Sequence, residues 1–240
     1  MLYRSCGLLL LLVFFSNSAR SQQRLQGFEM LELVKISEVY KEAPHLSFNT
    51  TYTYADSANS GVVLEQQTGS TKISGGKFWS RMDSTEYLKG YHYTLGIDHV
   101  DTVITISVNP EVSNVLQLPL LDSLFKEANL SSMRVDSLND STNMLSVQFG
   151  PNSAYKQYKL YYHPHRFLVS KIEYYLSEYA PDPAEGLSGT SIITVLFTQY
   201  SDLPIDQAVF KEDVYFFKVG KEFFVTPAYS NYSLVINIID

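Results

Sequence analysis

Leu46-Ser47-Phe48-Asn49-Thr50-Thr51-Tyr52-Thr53-Tyr54 alternates without a break: Leu46, Phe48, Thr50, Tyr52 and Tyr54 share one face, and Ser47, Asn49, Thr51 and Thr53 share the other. A period of two, with rings and β-branched residues in alternate positions, describes a half-buried antiparallel strand. Just upstream the period is different. From Gly27 to Lys41, Phe28, Leu31, Val34 or Lys35, and Glu38 or Val39 fall at helical spacing, and Leu33, Ile36 and Tyr40 form a second apolar row. Ala43-Pro44 stops the pattern, because proline disfavours the α region for the residue before it. Two apolar rows place this helix against a sheet rather than free in water.

Downstream of Tyr54 the chain reads as a meander. Asp56–Gly61 supplies turn residues, and Gly61–Ser74 is extended with an interruption expected at Thr68-Gly69-Ser70. Gly75-Gly76 turns the chain again. Lys77–Met82 and Thr85–Leu88 are short strands; Tyr91, Tyr93, Leu95 and Ile97 alternate; Asp98-His99 leads into Thr102, Ile104, Ile106 and Val108. Pro119 then opens a second expected helix, with Leu121, Leu124, Phe125 and Ala128 on one face. Met133–Ser137, Met144–Phe149, Gln157–His163, Phe167–Tyr179 and Thr190–Tyr200 continue as strands, and the tail from Val214 adds two or three more.

Composition agrees with this pattern. Of 240 residues, 45% are hydrophobic and 18% charged, as in a globular chain, and the 18 Tyr and 14 Phe favour pleated surfaces. About ten antiparallel strands cannot stay flat, because twist curls a large sheet. The expected fold is therefore mainly β with two or more helices (α+β), a curved antiparallel sheet forming an incomplete β-barrel lidded by helices, in one domain spanning 22–240.

The first 21 residues run in the order of a secretory signal: Arg4, the apolar stretch Leu8–Phe15, then small and polar residues, with Ala19-Arg20-Ser21 preceding a cut before Gln22. The apolar stretch is shorter than the ~20 residues a spanning helix needs. The expected compartment is the periplasm or the exterior, with no transmembrane span. Removing Arg4 and Arg20 leaves 16 of the 18 basic residues against 25 acidic ones, moving the net charge from −7 to −9. Such a chain repels phosphate backbones, so nucleic acid is excluded as a partner. Cys6, the single cysteine, lies ahead of the apolar stretch, so the exported chain has no thiol for a disulfide, a nucleophile or a metal.

Few residues suggest chemistry. His163-Pro164-His165 has the look of a metal pair, but its proline and its place between two strands read as a hairpin connection, and zinc needs three or four converging ligands. Asp98-His99-Val100-Asp101 offers an imidazole beside carboxylates, a pattern that turns also generate. No nucleophile elbow, Walker loop, dinucleotide fingerprint or zinc-protease helix is present, so the reading is a non-enzyme with no cofactor and no metal. Lys77-Phe78-Trp79-Ser80-Arg81 carries the single Trp, either at a cavity rim beside cations or as a core anchor.

The leading signal, the N-terminal helix, the meander from Leu46 to Tyr54, the turn Gly96-Ile97-Asp98-His99, the hairpin Leu160–Phe167 and the late Leu203-Pro204-Ile205 together resemble the periplasmic lipoprotein-carrier superfamily, LolA-like and LolB-like. The aromatic, turn-rich style is also similar to that of secreted Bacteroidetes proteins. The resemblance implies an incomplete barrel under helices that holds acyl chains. The residues expected to line it are Phe48, Tyr52, Tyr93, Leu95, Phe125 and Tyr162, and the partners are lipid or lipoprotein acyl chains and a protein of the envelope. The alternative is a cell-envelope structural or assembly protein whose interior is filled by side chains.

Overall fold

The computed structural model of the chain describes residues 27–41, 43–56, 62–108, 130–151, 153–177 and 191–238. Helix α1 spans 27–41. Among the described residues fourteen strands follow: β1 (Leu46–Asp56), β2 (Val63–Ser74), β3 (Lys77–Met82), β4 (Thr85–Lys89), β5 (Tyr93–Asp98), β6 (Val103–Val108), β7 (Leu130–Asn139), β8 (Thr142–Phe149), β9 (Tyr155–Tyr162), β10 (Val169–Leu176), β11 (Ser191–Ser201), β12 (Phe216–Val219), β13 (Glu222–Val225) and β14 (Ser233–Asn237).

Twelve of these strands make one large curved sheet in the order β14-β6-β5-β4-β3-β2-β1-β11-β10-β9-β8-β7, with β12 and β13 as a separate hairpin. Every neighbouring pair in the large sheet is antiparallel except β6 and β14, which run parallel. The sheet does not close into a barrel, since β14 and β7 are edges. The expected single curved sheet is therefore present. One α-helix is present among the described residues, not the two or more expected, and it packs by itself on one face of the sheet instead of joining a lid of helices; the helix expected from Pro119 lies outside the described residues.

Alternation in the strands separates the two faces. On one face Tyr52 pairs with Val195, Val195 with Ile172, Ile172 with Leu160 and Leu160 with Leu145. Val195, Ile172, Leu160 and Leu145 of this row belong to a core that also holds Leu33, Ile36 and Tyr40 of α1. The buried side of α1 is thus the second of its two apolar rows. Tyr40 selects it, because its hydroxyl accepts from the Val169 amide at 2.9 Å and lies 2.6 Å from Tyr200 Oη, which donates to the Val169 carbonyl.

The other face carries a second core. In β3, Phe78 belongs to the α1 side, and the next residue, Trp79, points the opposite way into a cluster with Leu88, Leu95, Ile97, Ile104 and Ile106. The C-terminal segment covers this cluster through Phe210, Tyr215 and Phe216. Buried Glu86 of β4 fastens the cover: Trp79 Nε1 and Tyr215 Oη both donate to its Oε1, and His99 Nε2 lies 3.2 Å from its Oε2. His99 Nδ1 is in turn 2.8 Å from Tyr232 Oη. Glu212 adds a second fastening, accepting from the His92 and Tyr93 amides at 2.6 and 3.1 Å. Trp79 is accordingly a core anchor. His99 is paired with a carboxylate, but with Glu86. Asp98 accepts the Val100 and Asp101 amides, and these bonds hold its carboxyl below its ordinary pKa.

β2 runs unbroken through Thr68-Gly69-Ser70, where an interruption was expected. Gly69 serves a close approach instead of a turn: a Cβ there would stand 2.7 Å from the Arg81 carbonyl oxygen and 2.9 Å from Thr50 Oγ1. Gly75 and Gly76 do form a turn, with φ of 54° and 80°.

Two predictions follow from this packing. Replacing Glu86 by Gln removes a charged acceptor shared by three partners, so urea unfolding should show a loss of about 1.5–3 kcal/mol. Amide exchange in β14 should quicken while exchange in α1 is unchanged; equal acceleration in both would contradict separate covers for the two faces. Burial pushes the Tyr40 hydroxyl up from 10.0 to about 12, and burial also raises Tyr158, Tyr162, Tyr174 and Tyr200. The folded chain then holds protons that the unfolded chain releases near pH 10, so stability should be flat below that pH and fall as pH rises toward 12. A thermal midpoint unchanged between pH 9 and 12 would refute this.

Candidate functional site

α1 ends at the link that enters β1, and beside it lies the β9–β10 turn. Between them is a cleft of about 610 Å³ that is largely open to solvent. Val39, Leu46, Phe167 and Leu168 give it an apolar floor, and Lys35, Glu38, His45 and Arg166 give it a polar rim.

The turn is built by His163. Its carbonyl accepts from the Phe167 amide at 2.8 Å, its amide donates to the Leu168 carbonyl at 2.9 Å, and its Nδ1 accepts from the His165 and Arg166 amides at 3.2 and 3.3 Å. The His163/His165 pair therefore acts as a hairpin connection. Among the described residues there is no group of three or more His, Cys, Asp or Glu placed to hold a metal ion.

Phe167 sits in the left-handed region, with φ of 54°. That conformation costs about 1–2 kcal/mol for a residue with a Cβ. It lets the ring stack on Tyr162 at 6.2 Å with planes 19° apart, and it places Lys35 Nζ 5.2 Å from the ring centroid. Glu32, buried in α1, fixes both neighbours: its Oε2 accepts from Tyr162 Oη at 2.8 Å and its Oε1 lies 2.7 Å from Lys35 Nζ. Burial and the bond to Glu32 raise the Tyr162 hydroxyl above its ordinary pKa, so Tyr162 remains a neutral donor. A cation and an aromatic ring on a left-handed backbone thus meet at one cleft wall.

The first apolar row of α1 continues away from this wall. Phe28, Leu31, Lys35 and Glu38 recur at i, i+3, i+7 and i+10, on one helix flank. Phe28 is 56% exposed and Leu31 57% exposed. The arrangement suits a molecule with an apolar length and a polar end.

Of the six residues expected to line a cavity, the five that are described fall on both faces of the sheet. Phe48, Tyr52 and Tyr162 share the α1 face. Phe48 is packed edge-on to Tyr40 at 5.9 Å and against Tyr200 at 5.2 Å, as core. Tyr52 is half-buried, and Tyr162 lies directly beneath Phe167 at the cleft wall. Tyr93 and Leu95 are on the opposite face: Tyr93 contacts Phe216 and Phe223 at 5.6 Å each, and Leu95 is buried in the second core. Phe125 lies outside the described residues. Lys35, Arg166 and Phe167 were not singled out from the sequence. The available signal was a lysine interrupting an apolar helical row in an acidic chain.

No family model and no curated protein matches the chain. Among solved structures it is similar to a DUF1329 family protein from Desulfovibrio piger, at 12% identity, covering 79% of this chain and 98% of that one, with a TM-score of 0.39. It is also similar to a LolA superfamily protein from Nitrosomonas europaea, at 11% identity, covering 77% and 97%, with a TM-score of 0.35. A third is a putative outer membrane lipoprotein-sorting protein domain from Vibrio parahaemolyticus, at 9% identity, covering 76% and 96%, with a TM-score of 0.35. No helix among the described residues is long and apolar enough to cross a membrane.

Substitution at Phe167 tests the strain. Phe167→Gly and Phe167→Ala both lose the ring, and only glycine removes the left-handed cost, so the Gly variant should be the more stable by about 1 kcal/mol in urea unfolding. Equal stabilities would show that the turn relaxes without strain.

Proposed function

We propose that the protein is a non-enzymatic carrier of the cell envelope that shelters the acyl chain of a lipid or lipidated protein along the flank of α1, with the cleft as its anchoring end. The observation that carries this reading is the row of Phe28 and Leu31, both more than half exposed, on the helix flank that also supplies Lys35 to the cleft. Apolar side chains aligned on a solvent face mark an interaction site. An acyl chain suits it, since each buried methylene contributes about 0.8 kcal/mol and eight of them about 6 kcal/mol. The exported character of the sequence supports the same reading: a carrier outside the cytoplasm meets lipid and passes it to a protein of the envelope.

Native mass spectrometry of the purified chain, with lipid extraction, tests the proposal. Wild-type protein should retain or take up acyl species. The Phe28→Asp/Leu31→Asp variant should bind them at least about tenfold more weakly. Its thermal midpoint should be unchanged, because both side chains are exposed. A wild-type chain indifferent to every acyl ligand would overturn the carrier reading.

A further inference from the structure

We infer that the cleft selects acyl ligands with an anionic head, a carboxylate or a phosphate, which Arg166 and Lys35 hold at the rim while the chain runs out of the cleft along the α1 flank. This rests on the carrier reading and adds the chemistry of the head group. The chain as a whole is acidic, with 25 acidic against 18 basic residues. The rim departs from that balance: its charged lining residues are the basic Lys35 and Arg166 and one carboxylate, Glu38, with Lys35 also paired to Glu32.

The two cations are prepared differently. Lys35 is fixed by Glu32 at 2.7 Å and by the Phe167 ring at 5.2 Å. An ammonium has three donors, and Glu32 takes one. Arg166 is exposed, and among the described residues its guanidinium has no ion pair, while its amide is pinned to His163 Nδ1. Its base is therefore rigid and its planar fork is available for two parallel bonds to an oxyanion. Phe167, with its left-handed backbone, directly follows Arg166 in the chain and carries Lys35 over its ring. Local strain of this kind concentrates at ligand clamps. Glu38 sits one helical turn from Lys35 and disfavours a head with more negative charge than the two cations offset.

Binding to the full exported chain, measured by titration calorimetry, tests the inference with four probes: palmitate, palmitoyl lysophosphatidate, neutral monopalmitoylglycerol and inorganic phosphate. The two anionic lipids should bind at least about tenfold more tightly than the neutral one, as expected for charge-assisted hydrogen bonds. Arg166→Glu should erase that preference without weakening the neutral lipid, Arg166→Lys should restore part of it, and added salt should narrow it. Arg166 is exposed on a turn, so a matching thermal midpoint establishes that each variant folds. Equal affinity for anionic and neutral lipids, or no effect of Arg166→Glu, would overturn the head-group assignment and leave the carrier reading standing. Inorganic phosphate binding as tightly as lysophosphatidate would overturn it in favour of a free-anion site. Binding of none of the three lipids would overturn the carrier reading itself.

Discussion

A single sheet of twelve strands has two faces, and apolar residues on both must be removed from water. The rest of the molecule is arranged by that requirement. α1 covers one face across β1 and β8–β11, fixed where Tyr40 meets Val169 and Tyr200. The C-terminal segment covers the other across β4–β6, fastened by Glu86 and Glu212. Both fastenings use buried polar groups with named partners, which makes each cover a particular seat instead of a general apolar contact.

Two covers on opposite faces leave the flank of α1 without a partner element among the described residues. A helix on a sheet buries one stripe and turns another to water. Here the outward stripe is also apolar at Phe28, Leu31 and Val34, and it runs into the cleft walled by the β9–β10 turn. The strain at Phe167 belongs to the same arrangement. Stacking on Tyr162 and the charge of Lys35 offset part of its cost, and both of those neighbours depend on Glu32.

The local periods were legible in the sequence. The alternation in β1 and β5, the helix from 27 to 41 and the Gly75-Gly76 turn stand where the residues place them, and three late strands answer the two or three expected. Relations between strands were not legible. Alternation shows that Tyr93 and Leu95 share a face, but only the chain of cross-strand pairs shows that this face is opposite to that of Phe48. The parallel pairing of β14 with β6 depends in the same way on where a distant segment arrives. α1 offered two apolar rows, and the tertiary bonds of Tyr40 decided between them. The cleft escaped notice because its parts, Lys35, Arg166 and Phe167, are unremarkable alone and meet only when helix and turn are packed.

The most direct measurement is photo-crosslinking of the purified chain with a diazirine-bearing palmitate, mapped by peptide mass spectrometry. The account predicts adducts confined to residues 28–46 and 163–168. Adducts concentrated on the second core, around Trp79, Tyr93 and Phe216, would contradict it.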